Sequence, residues 1–141
     1  MKTLRMSLAV IALLFTGVAA NAIEKVNAGK AATKDDVLNT YISAISTGDT
    51  KSLDKVLNND MQFNVKRGDN VTAIRKDDLL NQMKNTTAVA PVNTTTTVLQ
   101  SDDDSEKVKI VFNYDGYTRT DIVTLDRTLG WAITNVISSN S

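Results

Sequence analysis

The stretch from Val37 to Phe63 constrains the fold most, because two short helices and a strand follow one another there with almost no spacer. The first helix is predicted from apolar residues that recur on one helical face, namely Val37, Leu38, Tyr41, Ile42 and Ile45. A Gly48-Asp49 pair breaks this pattern. Helices with one apolar face need a surface to cover, so we expect the rest of the chain to supply a sheet.

The helix ends in this stretch are predicted from capping residues. Thr33 is a good N-cap for the first helix, and Gly48 is typical of the position just after a helix. Asp49 or Thr50 then caps a second helix, which buries Leu53, Val56 and Leu57 and ends at residues 58–60. Residues 61–66 alternate between apolar and polar side chains, which predicts a half-buried strand.

The second half of the chain predicts a third helix and a sheet. Lys76 opens the helix, which buries Leu79, Leu80 and Met83, and a Thr-rich strand at 93–100 is expected at a sheet edge. Three further strands are predicted at 107–115, 117–126 and 131–138.

The last two strands suggest that both faces of the sheet are covered. If residues 127–130 form a four-residue loop, Asp126 lies opposite Trp131 and Thr124 lies opposite Ile133. With that register both faces are substantially apolar. In an antiparallel sheet with one solvent-exposed face, apolar and polar residues should alternate more regularly along each strand. We therefore expect the helices to cover one face and a second subunit to cover the other.

The N-terminus is typical of a secretory signal peptide at residues 1–22. Lys2 and Arg5 precede an apolar run at residues 8–15, and Ala20-Asn21-Ala22 supplies small residues at a cleavage site. The apolar run is too short to span about 30 Å of hydrocarbon, so no membrane anchor is expected after cleavage. A flexible arm at 23–32 and one domain at 33–139 complete the predicted organisation, and the protein is expected in the periplasm or medium.

Composition narrows the possible functions. The chain has no cysteine and no histidine, which removes thiolate nucleophiles, the commonest neutral-pH base and the commonest transition-metal ligands. We therefore expect no metal and no cofactor. Its 16 basic residues are balanced by 16 acidic ones, so nucleic acid is not an expected partner.

Two parts of the chain carry a resemblance to a known superfamily. The first is Tyr41 to Asp49 with Leu53, Leu57, Asp60 and Phe63, and the second is Asp121 to Leu125 followed by Gly130, Trp131, Ile133, Asn135 and Val136. In this order the chain resembles the NTF2-like (SnoaL-like, ketosteroid isomerase-like) domains, and it looks closest to small secreted bacterial members labelled lumazine-binding. The resemblance implies an α+β fold in which N-terminal helices pack on a curved antiparallel sheet around a cone-shaped cavity.

The resemblance also implies which residues surround the cavity. Aligned on the Gly-Asp pair, Tyr41 takes the place of the oxyanion-donating tyrosine of ketosteroid isomerase, and Asp121 lies near its protonated aspartate. Val65 falls near the place of the catalytic base, where it cannot abstract a proton. The candidate pocket residues are Tyr41, Phe63, Val65, Met83, Asp121, Trp131 and Asn135.

These observations favour a secreted, non-catalytic domain that binds a small, partly apolar ligand and forms a homodimer through its sheet. One alternative is a weak isomerase, cyclase or hydrolase that uses Tyr41 and Asp121, and Arg119 beside Asp121 resembles part of an epoxide hydrolase arrangement. Another is a structural or protein-interaction module that acts through the open sheet face. A carboxylate within reach of Tyr41 in a closed cavity favours the enzyme, and a cone filled by Phe63, Met83 and Trp131 favours the structural module.

The signal-peptide prediction fixes the N-terminus of the mature protein. We expect the exported protein to begin at or near Ile23, because the small residues that a signal peptidase reads end at Ala22. Intact-mass measurement of the secreted chain tests this. A mass that retains residues 1–22 contradicts the prediction.

Overall fold

A computed structural model describes residues 32–128 and 130–141 of the chain. The predicted signal peptide at 1–22, and the predicted arm up to residue 31, lie outside the described residues. Within the described part three helices pack against a six-stranded sheet, so the α+β prediction is confirmed. None of the helices in these residues is long and apolar enough to cross a membrane.

The secondary structure follows the predicted order with small changes at the ends, and a further strand at residues 70–75 lies between the first strand and the third helix. The helices are α1 (Lys34–Thr47), α2 (Thr50–Val56) and α3 (Lys76–Lys84). The strands are β1 (Leu57–Arg67), β2 (Asn70–Arg75), β3 (Asn93–Ser101), β4 (Ser105–Tyr114), β5 (Tyr117–Arg127) and β6 (Trp131–Asn140). Their order in the sheet is β2-β1-β6-β5-β4-β3, which places the Thr-rich strand β3 at an edge, as predicted.

The sheet is mixed rather than antiparallel. Strand β1 runs parallel to β6, whereas all other neighbouring strands are antiparallel. The prediction of a wholly antiparallel sheet is therefore wrong at this pair. Alternation along β1 specifies which of its faces is buried, but not the direction of a partner strand some 70 residues away, as in the pair Asn64 and Ile137.

Helix α1 begins and ends where its capping residues predict. The Thr33 hydroxyl accepts a hydrogen bond from the Asp36 amide, and the Asp36 carboxylate accepts one from the Thr33 amide, which completes a capping box. At the other end Gly48 adopts φ +76°, and its amide donates to the Ala44 carbonyl.

Helix α2 is shorter than predicted. It ends at Val56, and Leu57 is already extended and paired with Ile133 of β6. The side chain of Lys76, which is buried, donates from Nζ to the carbonyl oxygens of Asp54 and Leu57 at 3.0 Å each. Because that ammonium satisfies the carbonyls at the helix end, α2 passes directly into β1.

The register of β5 and β6 differs from the predicted one. Arg127 lies opposite Trp131, and a bulge then leaves Thr134 without a partner, so that Leu125 lies opposite Ile133. Ile133 is in the core, with no exposed surface, and the bulge puts it on the opposite face of β6 from Asn135. The outer face is more polar than the sequence suggested, although Ile122 and Ile137 still face each other there.

One hydrophobic core lies between the helices and the inner face of the sheet. The largest apolar side chains with less than 2% exposure are Tyr41 and Leu53 from the helices and Phe112, Ile110, Leu125 and Ile133 from the sheet. Burying each such side chain contributes about 1.5–3 kcal/mol. The core holds α1 and α2 against β4, β5 and β6.

Gly48 is also a point of close approach. Besides its positive φ, a Cβ at this position would lie 2.9 Å from the Cβ of Ala88, in the loop that connects α3 to β3. The loop therefore packs on the end of α1, and any larger residue has to displace it.

Gly48→Ala should lower the free energy of unfolding more than Gly68→Ala does. Both residues have positive φ, which costs about 1–2 kcal/mol for alanine, but an added Cβ at Gly68 meets no atom within 4 Å. At Gly48 the close contact of the new Cβ with Ala88 should lower the free energy of unfolding by about 1 kcal/mol more. Urea unfolding of the two variants measures the difference, and equal losses would show that the loop moves aside freely.

Candidate functional site

A pocket of about 670 Å³ opens between α3 and the ends of β1, β5 and β6. Its apolar walls are Ile45, Phe63, Val65, Ile74, Leu79 and Met83, with the rings of Tyr114 and Tyr117 beside them. Polar groups come from Gln82, Thr86, Thr87, Ser138, Ser139 and Asn140. The cone is therefore not filled by its own side chains at this end.

The charged residues of the pocket wall all have the same sign. Lys66, Arg67 and Arg119 line it, and none of its described lining residues is an aspartate or glutamate. Asp69 stands in the turn next to Arg67, but it is exposed and not part of the lining.

A buried group of three side chains lies behind Arg119. The Arg119 guanidinium binds both carboxylate oxygens of Asp121, from Nε and Nη2 at 2.9 Å each, and the Tyr41 hydroxyl donates to the same carboxylate at 2.7 Å. Tyr41 and Asp121 have no exposed surface, whereas 22% of the Arg119 side chain is exposed. Arg119 therefore separates Asp121 from the pocket.

The protonation of this group follows from burial and pairing. Burial raises the pKa of Tyr41 well above its usual value, and the negative charge of Asp121 raises it further. For Arg119, burial acts to lower the pKa, but the adjacent Asp121 outweighs burial and leaves the pKa above its ordinary value. We therefore treat Tyr41 as neutral, Arg119 as positive and Asp121 as the carboxylate that balances it.

This arrangement differs from an oxyanion-binding site. In ketosteroid isomerase the tyrosine and a protonated aspartic acid both donate to the substrate oxygen. Here the Tyr41 hydroxyl donates to Asp121, and Asp121 accepts from both Tyr41 and Arg119. Neither group points a free donor at the pocket.

Three of the seven predicted pocket residues line the pocket. Phe63, Val65 and Met83 do so, and Val65 stands at the wall with no carboxylate beside it. Tyr41 and Asp121 contact each other, as the enzyme alternative required, but they lie behind Arg119 rather than at the surface of the cavity.

The other two candidates lie elsewhere. Trp131 is at the opposite end of β6, with the Lys34 ammonium 5.6 Å and the Arg127 guanidinium 5.9 Å from its ring centre. Asn135 faces the outer side of the sheet, because the neighbouring Val136 faces the core, and it accepts a hydrogen bond from Asn64. The predicted register had left Asn135 free to face the cavity, and the bulge at Thr134 places it outside.

The sequence left several lining residues out of the candidate set. Arg119 was noted beside Asp121, and its i, i+2 spacing on a strand already places both side chains on one face. Tyr114 and Tyr117 flank the Asp115-Gly116 turn, and this spacing could have predicted the contact between their rings. Nothing local indicates Ser138, whose position depends on its pairing with Asp121.

The described residues offer no evident metal centre. No three or more Asp or Glu side chains among residues 32–128 and 130–141 converge closely enough to hold an ion. The pocket presents two cations, Arg67 and Arg119, with an apolar wall and an aromatic wall, to whatever enters it.

Comparisons with known proteins find similar structures but no similar sequences. No model of a protein family matches the chain, and no curated protein matches it either. An NTF2-like protein of unknown function from Shewanella baltica OS155 matches with a TM-score of 0.63 at 15% identity, over 76% of this chain and 90% of that chain. One from Silicibacter pomeroyi DSS-3 gives a TM-score of 0.61 at 14% identity, over 76% and 92% of the two chains.

A third match has the same architecture. It is an NTF2-like protein of unknown function in nutrient uptake from Rhodospirillum rubrum ATCC 11170, with a TM-score of 0.60 at 21% identity over 73% of this chain and 93% of that chain. Likeness at these identities shows the fold alone. The chain has the NTF2-like fold, and that prediction is confirmed.

Tyr41→Phe should lower the free energy of unfolding by about 2 kcal/mol, because it removes a buried hydrogen bond to a charged group. Tyr114→Phe is the matched control and should change it by less than about 0.5 kcal/mol, because no described residue hydrogen-bonds to the Tyr114 hydroxyl. Urea unfolding of both variants measures the two losses. Equal losses would contradict a stabilising role for the Tyr41 hydroxyl.

The difference in the free energy of unfolding between wild type and Tyr41→Phe should become smaller at high pH. Tyr41 has a raised pKa in the folded protein and a pKa near about 10 in the unfolded chain, so its stabilisation is complete below about pH 10 and is lost as pH rises through the folded pKa. Above about pH 10 the wild type should lose up to about 1.4 kcal/mol per pH unit relative to the variant. Urea unfolding at several alkaline pH values checks this, and a constant difference would contradict it.

Proposed function

We propose that this chain is an exported, non-catalytic binding domain that holds a small, partly apolar molecule in the pocket beside Arg119. The observation that carries the proposal is the unfilled pocket itself, whose 670 Å³ lies within the range of about 300–1,000 Å³ that small-molecule sites occupy. Its walls combine apolar side chains with a few polar groups, which is the usual composition of such sites. Export rests on the sequence of residues 1–22.

The absence of a base among the described lining residues supports binding rather than catalysis. General acid–base chemistry needs a titratable group within hydrogen-bond reach of the reacting atom. The wall offers Lys66, Arg67 and Arg119, which are cations, and the tyrosines Tyr114 and Tyr117. Burial raises the pKa of Tyr114, so its hydroxyl stays protonated near neutral pH and supplies no phenolate base.

An environment-sensitive dye tests whether the pocket binds apolar molecules. N-phenyl-naphthylamine (NPN) is neutral, and its fluorescence rises when it leaves water. We expect one molecule to bind per chain, and Val65→Trp to weaken binding at least tenfold by filling the wall at that position. Titration of dye fluorescence measures both results.

The matched control for the dye experiment is Val71→Trp. Val71 is 60% exposed on β2 and outside the pocket lining, so the same substitution there should leave NPN affinity unchanged. Circular dichroism shows that each variant is folded. Equal affinity in wild type and Val65→Trp would overturn the proposed binding site.

We also propose self-association through the outer face of the sheet. Ile122 and Ile137 lie opposite each other there, and 38% of Ile137 is exposed, which supports a contact at this point. Sedimentation of the mature protein should give a dimer at micromolar concentration, and Ile137→Lys should dissociate it by placing a charge in the contact. A wild-type monomer would refute the dimer.

A further inference from the structure

The charges of the pocket wall indicate what kind of ligand it takes. Arg67 and Arg119 contribute two positive charges, and no described lining residue offsets them with a carboxylate. Lys66 borders the pocket, but its side chain lies on the outer face of β1, as that of Asn64 does. A concave wall of one sign raises the local concentration of ions of the opposite sign. The wall therefore favours a ligand with a negative group.

Arg119 presents a defined edge to such a group. A guanidinium carries five N–H donors in a rigid plane, and Asp121 takes one donor from Nε and one from Nη2. No described residue accepts from Nη1. The edge formed by Nη1 and Nη2 is thus left for a second anion, and the exposed 22% of the side chain borders the pocket.

The orientation of this edge is fixed by the surrounding side chains. The guanidinium carbon lies 5.8 Å from the ring centre of Phe63 and 5.6 Å from that of Phe112. Asp121 holds the guanidinium through two hydrogen bonds, and Tyr41 donates a hydrogen bond to Asp121. A positioned guanidinium loses little freedom when it binds an anion, which favours affinity.

The remaining wall fits an apolar and flat body. Tyr114 and Tyr117 stack with ring centres 4.7 Å apart and an angle of 9°, and both line the pocket. Phe63, Val65 and Met83 extend the apolar surface. An anion without an apolar part leaves this surface in contact with water.

We propose that the pocket recognises an amphipathic organic anion, whose oxyanion group docks on the Nη1/Nη2 edge of Arg119 and whose flat apolar body lies against Tyr114 and Tyr117. This inference rests on the proposed function and adds the ligand class. Arg67 attracts the anion at the rim, whereas Arg119 binds it directly.

Two dyes that differ only by a negative group test the inference. Anilinonaphthalene sulfonate (ANS) has the framework of NPN with a sulfonate added. In wild-type protein we expect ANS to bind at least tenfold more tightly than NPN, in line with about 1.5–3 kcal/mol for a charge-assisted hydrogen bond and tenfold per about 1.4 kcal/mol. Added salt should weaken ANS binding and leave NPN binding unchanged.

The assignment to Arg119 is tested with a double variant. Arg119→Gln alone leaves the buried Asp121 charge without its partner, so Arg119→Gln/Asp121→Asn is used, in which Tyr41 keeps an acceptor. The preference for ANS should disappear in this variant. Arg127→Gln removes one exposed arginine at the other end of the sheet and should leave the preference intact.

Each remaining result points against a specific part of the inference. Equal or tighter NPN binding, lost in Val65→Trp, overturns the anion preference and leaves the proposed function standing. Dye binding that survives Val65→Trp overturns the proposed function and the inference together. Preference for ANS that persists in Arg119→Gln/Asp121→Asn overturns the role of Arg119. Displacement of ANS by equimolar inorganic phosphate overturns the need for an apolar body. The wild-type comparison decides the anion preference even where no variant folds.

Discussion

The carboxylate of Asp121 is the constraint on which the arrangement of this domain depends. It has no exposed surface, and an ionised carboxylate in that position costs several kcal/mol unless it is paired and hydrogen-bonded. Two donors on different elements meet that requirement, since Tyr41 comes from α1 and Arg119 from β5. The same contacts fix α1 on the sheet and set Arg119 at the edge of the pocket.

That single arrangement decides which chemistry the pocket has available. Because the Tyr41 hydroxyl is used inside the protein, it does not serve as a donor to a substrate. Because Asp121 lies behind Arg119, the pocket meets a guanidinium rather than a carboxylate. The pocket thus presents a cation and apolar walls, which is the usual composition of a small-molecule site.

The two ends of the cone differ in how they are closed. At one end Lys34 forms an ion pair of 2.7 Å with the buried Glu106, and its ammonium lies 5.6 Å from the ring centre of Trp131. These contacts join the start of α1 to the sheet. At the other end α3 and the loop that follows it leave the pocket open. Ala88 of that loop packs on Gly48, so the position of the rim depends on the same residue that ends α1.

The sequence by itself determined the features that depend on near neighbours in the chain. Thr33 and Gly48 set the ends of α1, and alternation set the inner faces of the strands, because caps and periodicity involve residues a few positions apart. Of the pocket wall, Phe63, Val65 and Met83 were candidates that the resemblance to a known superfamily implied, and all three line the pocket. Only the tertiary structure decided the parallel pairing of β1 with β6, the bulge that turns Asn135 outward, and the position of Arg119 between Asp121 and the pocket. These depend on contacts between distant segments, such as Tyr41 and Asp121, which are 80 residues apart, and no local pattern specifies such a pairing.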